Sequence, residues 1–247
     1  MTGRFDGKVA LVTGGSSGIG LATARALARQ GALVYVTGRD QGALDAAVAG
    51  YESMLRPVVA NSAKLPDLER LGATIAGEAG HLDIVVANAG GGSFMPLEQL
   101  SEPFYDSIFD LNVKGVVFLI QRLLPSIRNG ASIVLISSIT ARTGTPAFSL
   151  YSASKAAVRA LARNWILDLK DRQIRVNVVS PGPTDTPGLA ALAPDFKQLS
   201  ERLASQIPLG RLGRVDEVAH AILFLASGDA SFINGVDLAV DGGMSEV

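Results

Sequence analysis

The sequence predicts an α/β protein, a doubly wound parallel sheet of about seven strands with helices on both faces. Three observations predict it. Short β-branched apolar runs alternate with longer helical segments along the chain, the pattern of repeated strand–helix units. The runs are nearly continuous in apolar residues, as strands covered on both faces are. The first run leads straight into a glycine-rich turn, Gly14–Gly20, that opens a helix.

Taken in order, Lys8–Thr13 (KVALVT) reads as a buried strand ending in glycines. Gly18–Gly31 has helical spacing: Ile19, Ala22, Ala26 and Leu27 share a face, and Gly31 suits a C-terminal cap. Ala32–Gly38 is a second strand, Gly42–Met54 a helix and Arg56–Ala60 a short third strand. Leu65–Gly80 is helical, with Leu65, Leu68, Leu71 and Ile75 on one side. Leu82–Gly90 is a fourth strand closed by glycines, and Pro103–Ile127 one long helix. Ala131–Ser138 is a fifth strand, Tyr151–Lys170 a second long helix and Ile174–Gly182 a sixth strand. A helix at Val215–Ser227 and a strand at Val236–Val240 end the pattern. No linker, composition break or repeat divides it, so residues 1–247 are expected to form one Rossmann-type domain. The Ala- and Leu-rich stretch Pro187–Pro208 is expected to be a mobile helical lid.

Composition excludes several classes of function. Charged residues are 18% and the net charge is −1, which argues against nucleic acid as a partner. There is no cysteine, hence no disulfide, thiol chemistry or cysteine-held metal. The two histidines, His81 and His220, are too few and too far apart in sequence for a zinc site. The N-terminal MTGRFDGK lacks the apolar core of a signal peptide. No apolar run approaches the ~18 residues of a membrane span. A soluble, cytoplasmic protein is expected.

The glycine turn admits two chemistries. Gly14–Gly18 (GGSSG) fits G-x-S-x-G, which would make Ser16 the nucleophile of a serine hydrolase. That reading needs an acid and a histidine downstream. His81 stands just before the fourth strand, and His220 lies in an apolar helix, where a buried structural role is expected. The same residues, through Gly20, read G-x-x-x-G-x-G, a turn that seats a dinucleotide. That reading needs only close backbone approach and the positive end of the next helix. A tight turn with no ligand fits the same seven residues.

Further along, YSASK places Tyr151 and Lys155 four residues apart, on one face of a helix. An ammonium beside a phenol favours phenolate and lowers the phenol from its usual ~10. Such a group gives and takes protons nearer neutrality. Thirteen residues before Tyr151 the fifth strand ends at Ser138, and sites in such sheets lie at the carboxyl ends of strands. Ser137 reads as structural.

These pieces, in order and at matching spacing, resemble the short-chain dehydrogenase/reductase family over nearly the whole chain. They are TGGSSGIG (Thr13–Gly20), NAG (Asn88–Gly90), LNVKG around Asn112, ISS ending at Ser138, YSASK (Tyr151–Lys155) and PGPTDT (Pro181–Thr186). GTPAFSLYSASKAAVRALARNW and QIRVNVVSPG are similar to bacterial members that act as broad-specificity alcohol dehydrogenases and carbonyl reductases. The resemblance implies a tetrad of Asn112, Ser138, Tyr151 and Lys155, and NAD(P)-dependent interconversion of an alcohol and a ketone or aldehyde. Tyr151 would be the general acid/base, and Ser138 would bond the same substrate oxygen. Lys155 would lower the Tyr151 pKa and hold the nicotinamide ribose, while Asn112 would distort its helix and hold a water. Gly14, Ser16, Ser17, Gly18, Ile19 and Gly20 would seat the cofactor. Asn88, Ala89 and Gly90 would line it, as would Pro181, Gly182 and Thr184, with Thr186 meeting the carboxamide. No metal is implied.

Two positions bear on the cofactor. The third strand runs into Asn61 and Ser62, where the family often has an acidic and an apolar residue; an amide still donates and accepts at an adenine edge. At the end of the second strand, the place for a ribose-binding carboxylate is Gly38, eighteen residues after Gly20. Gly38 leaves room for a 2′-phosphate, and Arg39 can bind it. NADP(H) is therefore expected over NAD(H), with Asp40, able to accept from a 2′-hydroxyl, as the argument for NAD(H).

Phe94, Met95, Ile139, Phe148, Leu189 and Leu192 are candidates for an apolar substrate pocket, and no paired Arg or Lys suggests an anionic substrate. The expected partner is a small carbonyl compound or alcohol. Both long helices carry apolar residues on more than one face, the second with Ala153, Ala157 and Ala160, which together with the family's habit predicts a homotetramer. The competing functions are a non-catalytic nucleotide-binding scaffold, which has no need of a proton relay, and the Ser16 hydrolase.

Overall fold

The computed structural model describes residues 3–247. Its strands are β1 (Val9–Val12), β2 (Leu33–Gly38), β3 (Leu55–Val59), β4 (Leu82–Ala87), β5 (Ile127–Ile136), β6 (Arg175–Pro181) and β7 (Asp237–Val240). They form one seven-stranded sheet in the order β3-β2-β1-β4-β5-β6-β7, every pair parallel. The helices are α1 (Gly18–Arg29), α2 (Gln41–Val48), α3 (Leu65–Glu78), α4 (Glu102–Phe109), α5 (Gly115–Leu123), α6 (Ser149–Asp168), α7 (Pro187–Ala190), α8 (Phe196–Ala204) and α9 (Val215–Ala226).

Side chains alternate across the sheet, so each strand feeds two cores. Ala10, Val12, Val34, Val36, Ile84, Val86 and Val134 pack with Leu27 of α1, Leu44 of α2 and Ile222 of α9. Leu11, Tyr35, Val85, Ile133, Leu135 and Val178 pack with Leu71 of α3, Leu119 of α5 and Val158 of α6. Burying each Leu, Ile or Val contributes ~1.5–3 kcal/mol, which explains why the strands read as unbroken apolar runs. Among the described residues, no helix is long and apolar enough to cross a membrane.

Three segments differ from the sequence expectation. The helix expected to run to Met54 stops at Val48, because Gly50 takes φ +78°, which a helix cannot accommodate. The long helix expected over Pro103–Ile127 is α4, a π-turn at Asp110–Lys114, then α5. β5 starts at Ile127, with a pairing shift against β4 between Leu82 and Ile84 and Gly130 at φ +76°. Its ladder ends at Ile136, so Ser137 and Ser138 leave the sheet as a loop. The stretch Pro187–Pro208 holds two short helices, α7 and α8.

Chain order reverses between β1 and β4. The loops that leave their carboxyl ends diverge there and open the crevice in which such sheets bind ligands.

Candidate active site

The glycine loop leaves β1 and turns at Gly14, φ +62°, into α1. A Cβ at Gly14 would stand 2.9 Å from Ala89 Cα, and one at Gly20 only 2.3 Å from the Gly14 oxygen. The loop is locked onto the end of β4. Asn88 Nδ2 donates to the Thr13 and Gly14 oxygens at 2.9 and 3.1 Å, and Thr13 Oγ1 accepts from the Asn88 and Ala89 N–H groups. Ser17 at the head of α1 makes no side-chain cap, and no acidic residue occupies the first turn. The N–H groups of that turn have no partner within the helix, and the helix dipole adds positive potential there.

Ser16 lines a side pocket of about 190 Å³ with Gly38, Arg39, Asn61, Ser62 and Ala89. Neither histidine lines this pocket or the main cavity. His81 contacts the Ala79 oxygen and Asp83. His220 is exposed on α9, not buried as its apolar neighbours suggested, because it takes the outward turn of the helix. Ser16 thus has no histidine base. Asp40 does not line this pocket; its carboxylate accepts from Ala43 N–H at 2.7 Å and caps α2. Asn61 Oδ1 is taken by Ala63 N–H at 3.0 Å, which leaves its amide N–H₂ as the free function.

The main cavity, about 1060 Å³, shares Gly14, Ser17, Asn88 and Gly90 with the side pocket. Gly18, Ile19, Gly20, Pro181, Gly182, Thr184 and Thr186 line it, with Ser138, Tyr151 and Lys155. Phe94, Ile139, Phe148, Leu189 and Leu192 join the wall as expected; Met95 does not, its N–H being held by the Ala147 oxygen at 2.7 Å.

Ser138 Oγ accepts from Thr140 N–H at 3.2 Å and from Thr140 Oγ1 at 3.0 Å. Both lone pairs are used, so its own proton is left to donate. The Tyr151 ring packs on Phe148 at 4.4 Å between centroids. Gly92 lies against its other edge, where a Cβ would come within 2.4 Å of Cδ2. Lys155, 4% exposed, donates to the Ile136 oxygen at 2.9 Å, its Nζ 5.6 Å from the Tyr151 ring centroid. Asn112 is fully buried in the π-turn and lines neither pocket. It straps Gly91 at both ends, Oδ1 accepting from its N–H at 3.0 Å and Nδ2 donating to its oxygen at 2.8 Å. Nδ2 also reaches Ser154 Oγ, which donates to the Tyr151 oxygen of the backbone at 2.7 Å.

Burial governs both titrating groups. It pushes the Tyr151 phenol up, with the Ser138 hydroxyl opposing, and pulls the Lys155 ammonium down to about 8. The expected lowering of the phenol by Lys155 is not seen: burial sets the direction, and the Ser138 hydroxyl is the group that opposes it. Thr140, Phe148 as a stacking partner, Gly91, Gly92 and Ser154 were not singled out from sequence in these roles. Gly91 and Gly92 act through partners distant in sequence, and Thr140, Phe148 and Ser154 through the local turn or helix geometry that sets their side chains against Ser138 and Tyr151; the triple glycine Gly90–Gly92 was the one sequence signal.

The residues fit a nicotinamide dinucleotide. The loop backbone has no room for added side chains at Gly14 and Gly20, the head of α1 offers free N–H groups, and the two cavities adjoin. Residues 14–245 match a family model described as enoyl-(acyl carrier protein) reductase. An oxidoreductase of Sarocladium schorii is 42% identical over 247 residues, covering 99% of this chain and 98% of that protein. A solved short-chain dehydrogenase/reductase family protein superposes with a TM-score of 0.88 at 38% identity, covering 99% of this chain and all of that one. A blue fluorescent protein from a metagenomic library, solved in complex with NADPH, superposes with a TM-score of 0.91 at 33% identity, covering 98% and 99%. With matches spanning the chain end to end, it belongs to the short-chain dehydrogenase/reductase family, oxidoreductases that bind a nicotinamide cofactor.

Proposed function

We propose that the protein interconverts a secondary alcohol and a ketone or aldehyde, with Tyr151 as general acid/base and NADP(H) as the preferred cofactor. One observation carries the reading: Ser138, Tyr151 and Lys155 converge on a single cavity that adjoins the glycine seat. The nicotinamide supplies or accepts the hydride when bound. Tyr151, held protonated by burial, gives its proton to the developing alkoxide in reduction and takes it back in oxidation. Ser138, with both lone pairs taken by Thr140, donates to the same oxygen and positions it. Lys155 has N–H groups beyond its bond to Ile136 with which to hold a ribose hydroxyl. Asn112 keeps the Gly91 strap, and with it Gly90 and Gly92, pressed against Lys155 and Tyr151.

The preference for NADP(H) rests on Arg39. It lines the side pocket, whereas Asp40 does not and caps α2. The NADPH complex of a relative at 33% identity agrees with it. Assembly is proposed as a homotetramer, argued below from its surfaces.

Steady-state kinetics with a panel of ketones and aldehydes tests the reading. Tyr151→Phe is expected to lose about 10²–10⁴-fold in rate with cofactor affinity nearly kept. Arg39→Ala is expected to weaken NADPH by roughly 10–100-fold, the worth of one charged hydrogen-bonding residue, and NADH scarcely at all. Near-wild-type turnover by Tyr151→Phe overturns the role of the tyrosine. A wild-type enzyme as efficient with NADH as with NADPH overturns the role of Arg39.

A further inference from the structure

We infer that the substrate carries an anionic group, a carboxylate or a phosphate, at the end away from the reacting carbonyl, and that Arg202 on the lid binds it. The inference rests on the reductase reading and adds the class of substrate.

Most of the arginines are used by the fold. Arg25, Arg172 and Arg175, for example, hold backbone oxygens, and Arg70, Arg122, Arg142, Arg159, Arg211 and Arg214 pair with carboxylates. Among the described residues, the guanidinium of Arg202 makes neither a hydrogen bond nor an ion pair. Its helix shows why. On α8, Lys197 and Glu201 face each other outward at 4.0 Å, whereas Leu199, Arg202, Leu203 and, past the helix end, Gln206 recur at helical spacing and line the main cavity. Arg202 therefore stands on the cavity side of the lid, with no carboxylate to answer it.

The cavity has no carboxylate anywhere in its lining. Its charged side chains are Lys155 and Arg202 alone. Lys155 lies deep, bonded to the Ile136 oxygen behind Tyr151. Arg202 is exposed, on the lid. Two cations in a largely apolar concavity focus a positive potential. The free energy of placing an anion there is favourable, and a neutral substrate gains nothing from it. The same cavity is walled in large part by apolar side chains, among them Phe148, Leu199 and Met244. The substrate that fits has an apolar body, a carbonyl at the inner end and an anion at the outer end. Sequence alone gave no such indication, because Arg202 has no basic neighbour with which to announce an anion site.

The test uses methyl ketones of graded length, 4-oxopentanoate to 9-oxodecanoate, each beside its methyl ester, and ketones of the same lengths ending in a phosphate monoester. In the wild type, kcat/KM for the acid is expected to exceed that for the ester by about 10–100-fold at the best-fitting length. Whether carboxylate or phosphate gives the larger ratio identifies the anion. In Arg202→Ala that ratio is expected to fall towards unity through KM, with Arg202→Lys retaining part of it, and the cofactor dissociation constant is expected to hold. Equal use of acid and ester by the wild type overturns the inference and leaves the reductase reading standing. An unchanged ratio in Arg202→Ala, or weaker cofactor binding in it, also overturns the inference. Reduction of none of the ketones sinks the reductase reading and the inference with it.

Discussion

Lys155 shows most directly what the site costs the fold. Its ammonium is buried, and its pKa is pulled from 10.5 to about 8. The folded value lies below the unfolded one, so the unfolded chain binds more protons between pH 8 and 10.5, and stability rises with pH across that window. Below it the full penalty applies, about 3 kcal/mol. Lys155→Met removes the titrating group, so its melting temperature relative to wild type is expected to be highest near pH 7 and to fall as pH approaches 10. At 2–4 °C per kcal/mol for a chain of this length, that drift is roughly 6–12 °C. Scanning calorimetry at several pH values measures it, and a difference that stays flat with pH overturns the burial argument. The residue scale is also where the sequence was most and least informative. Tyr151, Lys155 and Ser138 were legible because one helical spacing and one strand end place them. Thr140 was not, because its value lies in two bonds to Ser138 that only the turn after β5 creates.

At the scale of elements, all seven strands were legible in place and order, the central ones because a strand buried on both faces has to be apolar throughout, while the start of β5 at Ile127 was read as helix. The π-turn at Asp110–Lys114 was not legible. Its sequence, DLNVK, continues the helical pattern on both sides, and the insertion shows only as Gly115 N–H reaching back to the Asp110 oxygen. Tertiary bonds hold it. Asn112, fully buried, spends its amide on Gly91 and Ser154. Asn112→Ala leaves those groups unpaired and is expected to cost about 1–3 kcal/mol in urea denaturation. Activity should fall with it as Gly90 and Gly92, on either side of Gly91, loosen against Lys155 and Tyr151. A variant as stable as wild type would show that the turn holds without its strap.

The edges of the sheet argue the assembly of the whole molecule. β3, at one edge, carries Arg56 and Pro57, residues that discourage pairing. β7, at the other, has no such guard, and Phe232 beside it is fully exposed, with Phe224 of α9 partly so. A second accessible face lies on α4 and α6, with Tyr105 stacked on Phe109 at 4.3 Å, Ala153 and Leu167. If each face pairs with the same face of another copy, the two together build the closed tetramer of dihedral symmetry proposed above. Light scattering is expected to give four times the 25.6 kDa of the chain, and Phe232→Asp is expected to halve it. A monomer at micromolar concentration refutes the proposal. The apolar character of these helices was visible in the sequence; which faces stay uncovered was not, because that depends on what α6 packs against.

The reversal of strand order between β1 and β4 has a consequence for descent. Every wall of the side pocket comes from residues 14–111, whereas the lid and most of the wall around the reacting centre come from residues 136–244. The side pocket and most of the wall around the reacting centre are thus carried by different stretches of the chain. After duplication, a copy is free to diversify its second stretch and acquire a new diet of substrates, while the first stretch goes on drawing on the same pool of reducing equivalents.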